Sequence, residues 1–157
     1  NFALVKLEWN MNYLNNKLYD KSNKIDCVRL NKFSKSEYKN LLNCGEHNKE
    51  RYIKGQILLN YLCDKFGVPR CLLSVPNKPQ LSKGNGKTLG RYFPKVFRIE
   101  VFNLTAKTHK AVSIKSFADT LLHEFIHHYD IECLGFDASP HTSGFYKRIA
   151  DLKAKLQ

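Results

Sequence analysis

The sequence predicts an α+β fold: a small, mostly antiparallel sheet packed against a helix that carries an H-E-x-x-H motif, with further helices around it. Three observations lead there. Apolar residues recur at helical spacing up to about Phe66 and again from about Ser113 to the end. Between these blocks the pattern changes to short alternating runs punctuated by glycine, proline and asparagine. The stretch Thr120–Asp130 then sets His123-Glu124-x-x-His127 among Phe117, Leu121, Leu122, Phe125 and Ile126, the apolar frame of a buried helix. The 157 residues read as one domain, long enough for a core and without internal repeats.

Leu7, Met11, Leu14 and Leu18 predict a first helix over about Leu4–Tyr19, weakened by Asn15-Asn16, with Trp9 and Tyr13 on the core. Asp20–Asn31 is polar and reads as a short strand or a loop. Residues 1–45 are thus a helical N-terminal extension with no assigned role. Ser34-Lys35-Ser36-Glu37 reads as a capping box opening a helical region to Phe66, broken near Asn43–Gly45. Tyr52, Ile53, Ile57, Leu58, Tyr61, Leu62 and Phe66 make its second part periodic, and Gly67 with Pro69 ends it.

Leu72–Val75 reads as a strand stopped by Pro76. Lys83–Lys87 is glycine-rich and basic, but it lacks the spacing of a phosphate loop and a helix start behind it, so it reads as a hairpin turn. Two strands follow, Thr88–Phe93 and Val96–Phe102, joined tightly at Pro94-Lys95. The second places Val96, Arg98, Glu100 and Phe102 on one face and Phe97, Ile99 and Val101 on the other. Ser113 or Ser116 caps the motif helix, which runs to about Leu134 before Gly135. A loop over 136–143 leads to a last helix beginning near Phe145. His47 and His109, in polar segments, read as surface residues.

The formal charge of +12 predicts attraction to polyanions, nucleic acid first. An excess of lysine over arginine with abundant asparagine, the bias of AT-rich genomes, explains the charge equally well, and charge alone supports only non-specific binding. No run approaches the ~18 apolar residues of a membrane helix. No signal peptide is visible, although a chain that begins at Asn1 could have lost one. Cys27, Cys44, Cys63, Cys71 and Cys133 are scattered, odd in number and without a C-x-x-C pair, which argues against a zinc ribbon and a disulfide framework. Buried, reduced thiols in a cytoplasmic protein are the expectation.

The motif has a chemical reason. Residues four apart share one helix face, so His123 and His127 can reach one ion at about 2.0–2.1 Å. Glu124, one position along, can take a proton from water activated there. A catalytic zinc usually has a third protein ligand. Cys133 points away from the His123/His127 face, and no glutamate follows Glu132. His128 is rotated by about 140° from His123 through the ~100° step per residue. Asp137 remains possible but short-armed. His141, beyond the Gly135 break, is the better candidate. Asp130 reads either as an orienting partner of a ligand histidine or as a surface carboxylate. Tyr129 reads as core, and Tyr146 as a core residue or a site-lining donor to an oxyanion.

Leu89-Gly90-Arg91-Tyr92 ahead of Ile99-Glu100-Val101, then Thr120–His128, then His141-x-x-Gly144-Phe145 resemble the SprT-like metallopeptidase domain. That family shares a catalytic core with the eukaryotic proteases that digest DNA–protein crosslinks. The resemblance covers about residues 50–157. It implies a zincin-like fold, one catalytic Zn²⁺ and peptide-bond hydrolysis, with His123, His127 and His141 as ligands and Glu124 as general base. Many members end in a cysteine zinc ribbon; this chain has none, which bears on DNA recognition more than on the chemistry.

The expected activity is therefore zinc-dependent cleavage of proteins or peptides, with non-specific nucleic acid as a further partner and no membrane. An edge strand near Val96–Phe102 is expected to pair with extended substrate. The expected location is cytoplasmic, or nucleoid-associated or nuclear if linked to DNA. One rival is a nucleic-acid-binding or regulatory protein with a structural zinc, against which an intact Glu124 speaks. Another is a hydrolase of non-peptide bonds.

Overall fold

A computed structural model describes residues 15–83 and 86–157, which form five helices and two small sheets, an α+β arrangement. The helices are α1 (residues 15–23), α2 (Ser36–Leu42), α3 (Asn48–Phe66), α4 (Ile114–Glu132) and α5 (Ser143–Leu156). The strands are β1 (Leu72–Ser74), β2 (Leu81–Lys83), β3 (Gly86–Thr88), β4 (Gly90–Phe93) and β5 (Arg98–Val101). The N-terminal part of the helix expected over Leu4–Tyr19, with Trp9 and Tyr13, lies outside the described residues, as do Gly84 and Asn85 of the expected turn.

Helix boundaries follow local chemistry. The capping box expected at Ser34–Glu37 does not form: Lys35 is the N-cap of α2 without a side-chain cap bond, and the Ser34 hydroxyl instead donates to Glu37 Oε2 at 2.7 Å. The chain breaks where Asn43–Gly45 predicted a break. His47, exposed as expected, is the N-cap of α3, its Nδ1 accepting from Lys49 N–H. Gly67 closes α3 in the left-handed region at φ 67°. Ser113 caps α4 by accepting from Ser116 N–H, and Thr142 caps α5 by accepting from Phe145 N–H.

The main sheet has the order β1-β5-β4, with β1 parallel and β4 antiparallel to β5; β2 and β3 form a separate antiparallel ribbon. The sheet is therefore mixed, more so than the expected mostly antiparallel one. The expected edge strand is also corrected. β5 lies in the centre, with Ile99 and Val101 buried beneath it, and β4 is the edge nearer α4. The reason is composition: Val96–Phe102 carries the apolar residues a central strand buries, whereas Gly90-Arg91-Tyr92-Phe93 carries the glycine and charge of an edge.

α4 is the axis of the core. Phe117, Leu121, Leu122, Phe125, Ile126 and Tyr129 are all fully buried, against Leu58, Leu59 and Leu62 of α3, Ile99 of β5, and Leu152 of α5. From Phe117 to Asp130 only Asp119, His123 and His127 escape burial. They are spaced by four, so they form one stripe on an otherwise enclosed helix. The loop before α4 is held by Arg51, whose buried guanidinium donates to Gly45 O, Val112 O and Asn103 Oδ1.

Candidate metal centre

The open stripe of α4 faces a cleft of about 800 Å³ lined by Leu89 and Gly90 from the β4 edge, Asp119, His123, Glu124 and His127 from α4, and His141 and Tyr146. Gly90 permits this closeness. A methyl there would stand 2.8 Å from Thr120 Cγ2 and 3.3 Å from Glu124 Cγ, so only glycine lets the edge strand lie against the motif helix. A second hollow of about 310 Å³, lined by Tyr92, Glu124, His127, Asp137 and Ser139, continues past the motif on the other side.

The structure brings His123, His127 and His141 together. His141 Nε2 lies 3.1 Å from His123 Nε2 and 3.0 Å from His127 Nε2. Two nitrogens bound to one ion at about 2.0–2.1 Å in tetrahedral geometry stand about 3.3 Å apart, so this spacing suits a small divalent cation. Phe145, fully buried, is the floor beneath all three rings: stacked on His127 at 4.5 Å, and 5.0 and 5.1 Å from His123 and His141.

A hydrogen-bond relay fixes the tautomer of His127. Arg148 donates to both oxygens of Asp130, Nε to Oδ1 at 2.9 Å and Nη2 to Oδ2 at 2.8 Å, with both side chains fully buried. Ser139 Oγ donates to Asp130 Oδ2 at 2.8 Å, so it must accept from His127 Nδ1–H at 2.8 Å. The proton is then on Nδ1, and Nε2 presents a bare lone pair to His141. His141 Nε2 carries at most one proton when neutral, so it cannot donate to both neighbours. The geometry is poor as a hydrogen-bonded cluster and good as a donor set for a cation.

Burial and the neighbouring His141 hold His123 at a pKa of about 4; burial, then His123 and His141, hold His127 at about 3. Both rings are neutral near pH 7, the form that binds metal. Glu124 is 7% exposed, and burial pushes its pKa up to about 7. Burial also pushes the Asp130 carboxyl up, while Arg148 and Ser139 pull it back. The residues present thus fit a metal ion held by three imidazoles, with a carboxylate beside it that can exchange a proton near neutral pH.

The other candidates are placed elsewhere. Asp137 lines the second hollow and is exposed. Cys133 is the C-cap of α4, its sulfur near Arg29. Tyr129 is core, its hydroxyl accepting from Arg29 N–H. Asp130 is buried and reaches His127 through Ser139 rather than directly, which resolves the choice between orienting and surface roles. Among the cysteines, Cys44, Cys63 and Cys71 are buried, but Cys27 is exposed and Cys133 half-buried, a partial correction of the buried-thiol expectation.

His128, expected to pack or face solvent, is fully buried beside Cys63 and Cys71, and their donor atoms lie within 4.8 Å of one another. Sequence spacing gave no sign of this cluster, nor of Ser139 and Arg148, whose roles arise from tertiary contact. Part of the N-terminal segment also serves the site: Ser22 O and Ile25 O accept from Arg148 Nη1 at 2.7 and 2.6 Å.

No helix among the described residues is long and apolar enough to cross a membrane. No protein-family model, curated protein or solved structure matches the chain.

Proposed function

We propose that the chain is a zinc-dependent peptidase of SprT-like, zincin type. The observation that carries this is the meeting of three imidazole Nε2 atoms in a cleft that also holds Glu124 and runs along the edge of a sheet. His123, His127 and His141 would hold the ion. A zinc ion supplies Lewis acidity there, polarising a carbonyl and making water a nucleophile near neutral pH.

The chain's own residues supply the rest. The β4 edge at Gly90 offers backbone groups to an extended peptide, which β-addition would lay across the His123–His127 stripe. Glu124, buried beside the three imidazoles, accepts the proton of the attacking water and passes it to the leaving amine nitrogen. Ser139, Asp130 and Arg148 keep His127 in one tautomer. The charge of +12 supports substrates on or near nucleic acid.

The test is Glu124→Gln assayed on an unfolded protein substrate. Proteolysis should fall by about 10²-fold or more, as expected for loss of a general base, while metal analysis still finds about one zinc per chain. Undiminished proteolysis would remove Glu124 from the mechanism. A metal-loaded wild-type protein that cleaves no peptide would favour a structural or regulatory metal instead.

A further inference from the structure

We infer that Tyr146 is a catalytic residue, its phenol O–H donating a hydrogen bond to the oxyanion that forms on the scissile carbonyl. This rests on the peptidase reading above and adds to it a group that the H-E-x-x-H motif does not contain.

Hydrolysis of a peptide bond forms a bond from water oxygen to the carbonyl carbon. The carbonyl π pair moves onto its oxygen. The C–N bond then breaks as that pair returns and the proton taken by Glu124 passes to the amine nitrogen. The negative charge on the carbonyl oxygen is the quantity a site gains most from stabilising. Glu124 cannot donate there while it serves as the base. Of the cleft-lining hydroxyls on α4, that of Thr120 already donates to Ser116 O at 2.8 Å. Ser116 lies seven residues before His123, about 10 Å back along the helix.

Tyr146 sits at the level of the ligands. Its ring centroid is 6.2 Å from that of His123 and 5.9 Å from that of His141, and it stands edge-on to Phe145 at 5.4 Å. Its position is fixed by the first turn of α5, where its N–H donates to Thr142 O. The side chain is 51% exposed and lines the cleft, so its ring and hydroxyl are open to a bound substrate. Among the described residues, no hydrogen bond engages its hydroxyl, as is also true of Tyr19, Tyr38 and Tyr52, but of these four only Tyr146 lines the cleft. A phenol held against two ligand rings, with its donor unspent and the cleft open in front of it, is the arrangement an oxyanion donor needs.

The test is Tyr146→Phe, which removes one exposed oxygen and leaves the ring contacts in place. Zinc content should be unchanged and kcat on a peptide should fall by roughly 10²-fold with KM nearly constant, the size seen when one oxyanion donor is removed. The second readout is binding by calorimetry. A phosphinic peptide, whose tetrahedral oxygens mimic the oxyanion, should bind the variant more weakly by a similar factor. The matching uncleaved peptide should bind the Glu124→Gln and Glu124→Gln/Tyr146→Phe proteins equally. Wild-type rate and wild-type phosphinate affinity in Tyr146→Phe would overturn the assignment and leave the peptidase reading standing. Equal losses for phosphinate and uncleaved peptide would overturn it too, by making Tyr146 a ground-state contact. A zinc-loaded wild-type protein inactive on all peptides would remove both.

Discussion

His127 and His128 are neighbours on α4, yet they belong to two clusters with opposite physical character. His127 joins His123 and His141 in the cleft; His128 joins Cys63 and Cys71 in the core. By donor types alone, each set could hold a metal ion. Hydrogen bonding separates them. His128 Nε2–H donates to Pro69 O at 2.7 Å, and its Nδ1 accepts from Tyr92 O–H at 2.7 Å. Burial raises the Tyr92 pKa, which keeps that phenol a donor. Cys71 and His128 beside it lower the Cys63 thiol against the effect of burial, while Cys63 and burial raise the Cys71 thiol. Both ring nitrogens of the core histidine have a partner from the protein itself. In the cleft, three Nε2 atoms face one another with too few protons to pair them. A satisfied polar cluster stabilises a fold; an unsatisfied one at a cleft wall has to be completed from outside.

The largest expected effects come from breaking each cluster in turn. His141→Ala should abolish stable zinc retention and peptidase activity while leaving the fold intact, because His141 is exposed and its loss opens no core cavity. His128→Ala should do the reverse. It would leave Pro69 O and Tyr92 O–H without their partner and a hole beside Phe125, costing roughly 2–4 kcal/mol of stability, with about one zinc per chain still bound. Metal analysis beside denaturant unfolding reads both. Two zinc ions per chain, or zinc lost on Cys63→Ser with the fold retained, would make the core cluster a metal site and end the contrast.

A smaller effect sharpens the cost side of the cleft. Glu124 is buried and, in the metal-free protein, titrates near 7 rather than 4.5. A folded-state pKa above the unfolded value means the stabilising form is the protonated one. Its contribution is whole below pH 4.5 and is lost as pH rises through about 7. At about 1.4 kcal/mol per pH unit, the loss amounts to about 3 kcal/mol above pH 7. Metal-free Glu124→Gln should therefore be more stable than metal-free wild type by about that amount at pH 8, and the gap should narrow toward pH 4.5. A gap independent of pH would mean that burial does not strain this carboxylate. The imidazole of the core cluster offers no such gain, since both its nitrogens are already paired.

These contrasts mark what was legible in the sequence. The pair His123 and His127 was readable because helix geometry alone brings residues four apart together. His141 was reachable by elimination, since the alternatives pointed away or were too short. The helices were legible from caps and periodicity, as Ser113, Gly67 and the Asn43–Gly45 break show. The central place of β5 was misjudged although its composition signalled it. The parallel β1–β5 pairing left no local mark, because register between distant strands is set by the core they share. Cys63, Cys71 and His128 meet only through the packing of α3, the β1 approach and α4, so no spacing rule could have found them. Nothing in the local sequence sets Ser139 or Arg148 apart, because both gain meaning only from buried Asp130.

The smallest effect tests whether the relay behind His127 tunes the cleft or merely fills space. Ser139→Ala removes the acceptor of His127 Nδ1–H and one donor to Asp130, but leaves Asp130 paired with Arg148 through two bonds. The fold should hold, because the buried ion pair remains whole. His127 should lose its imposed tautomer, and zinc affinity should fall by about 10–100-fold, the usual consequence of removing a ligand's outer partner. That corresponds to roughly 1.4–2.8 kcal/mol of binding free energy. Competition against a chelator of known affinity measures it, and Ser139→Thr, which keeps the hydroxyl, should restore most of the loss. An unchanged affinity in Ser139→Ala would mean that His127 is oriented by Phe145 stacking alone. A collapse of stability instead would place the relay with the core cluster, as a satisfied network whose main effect is on the fold.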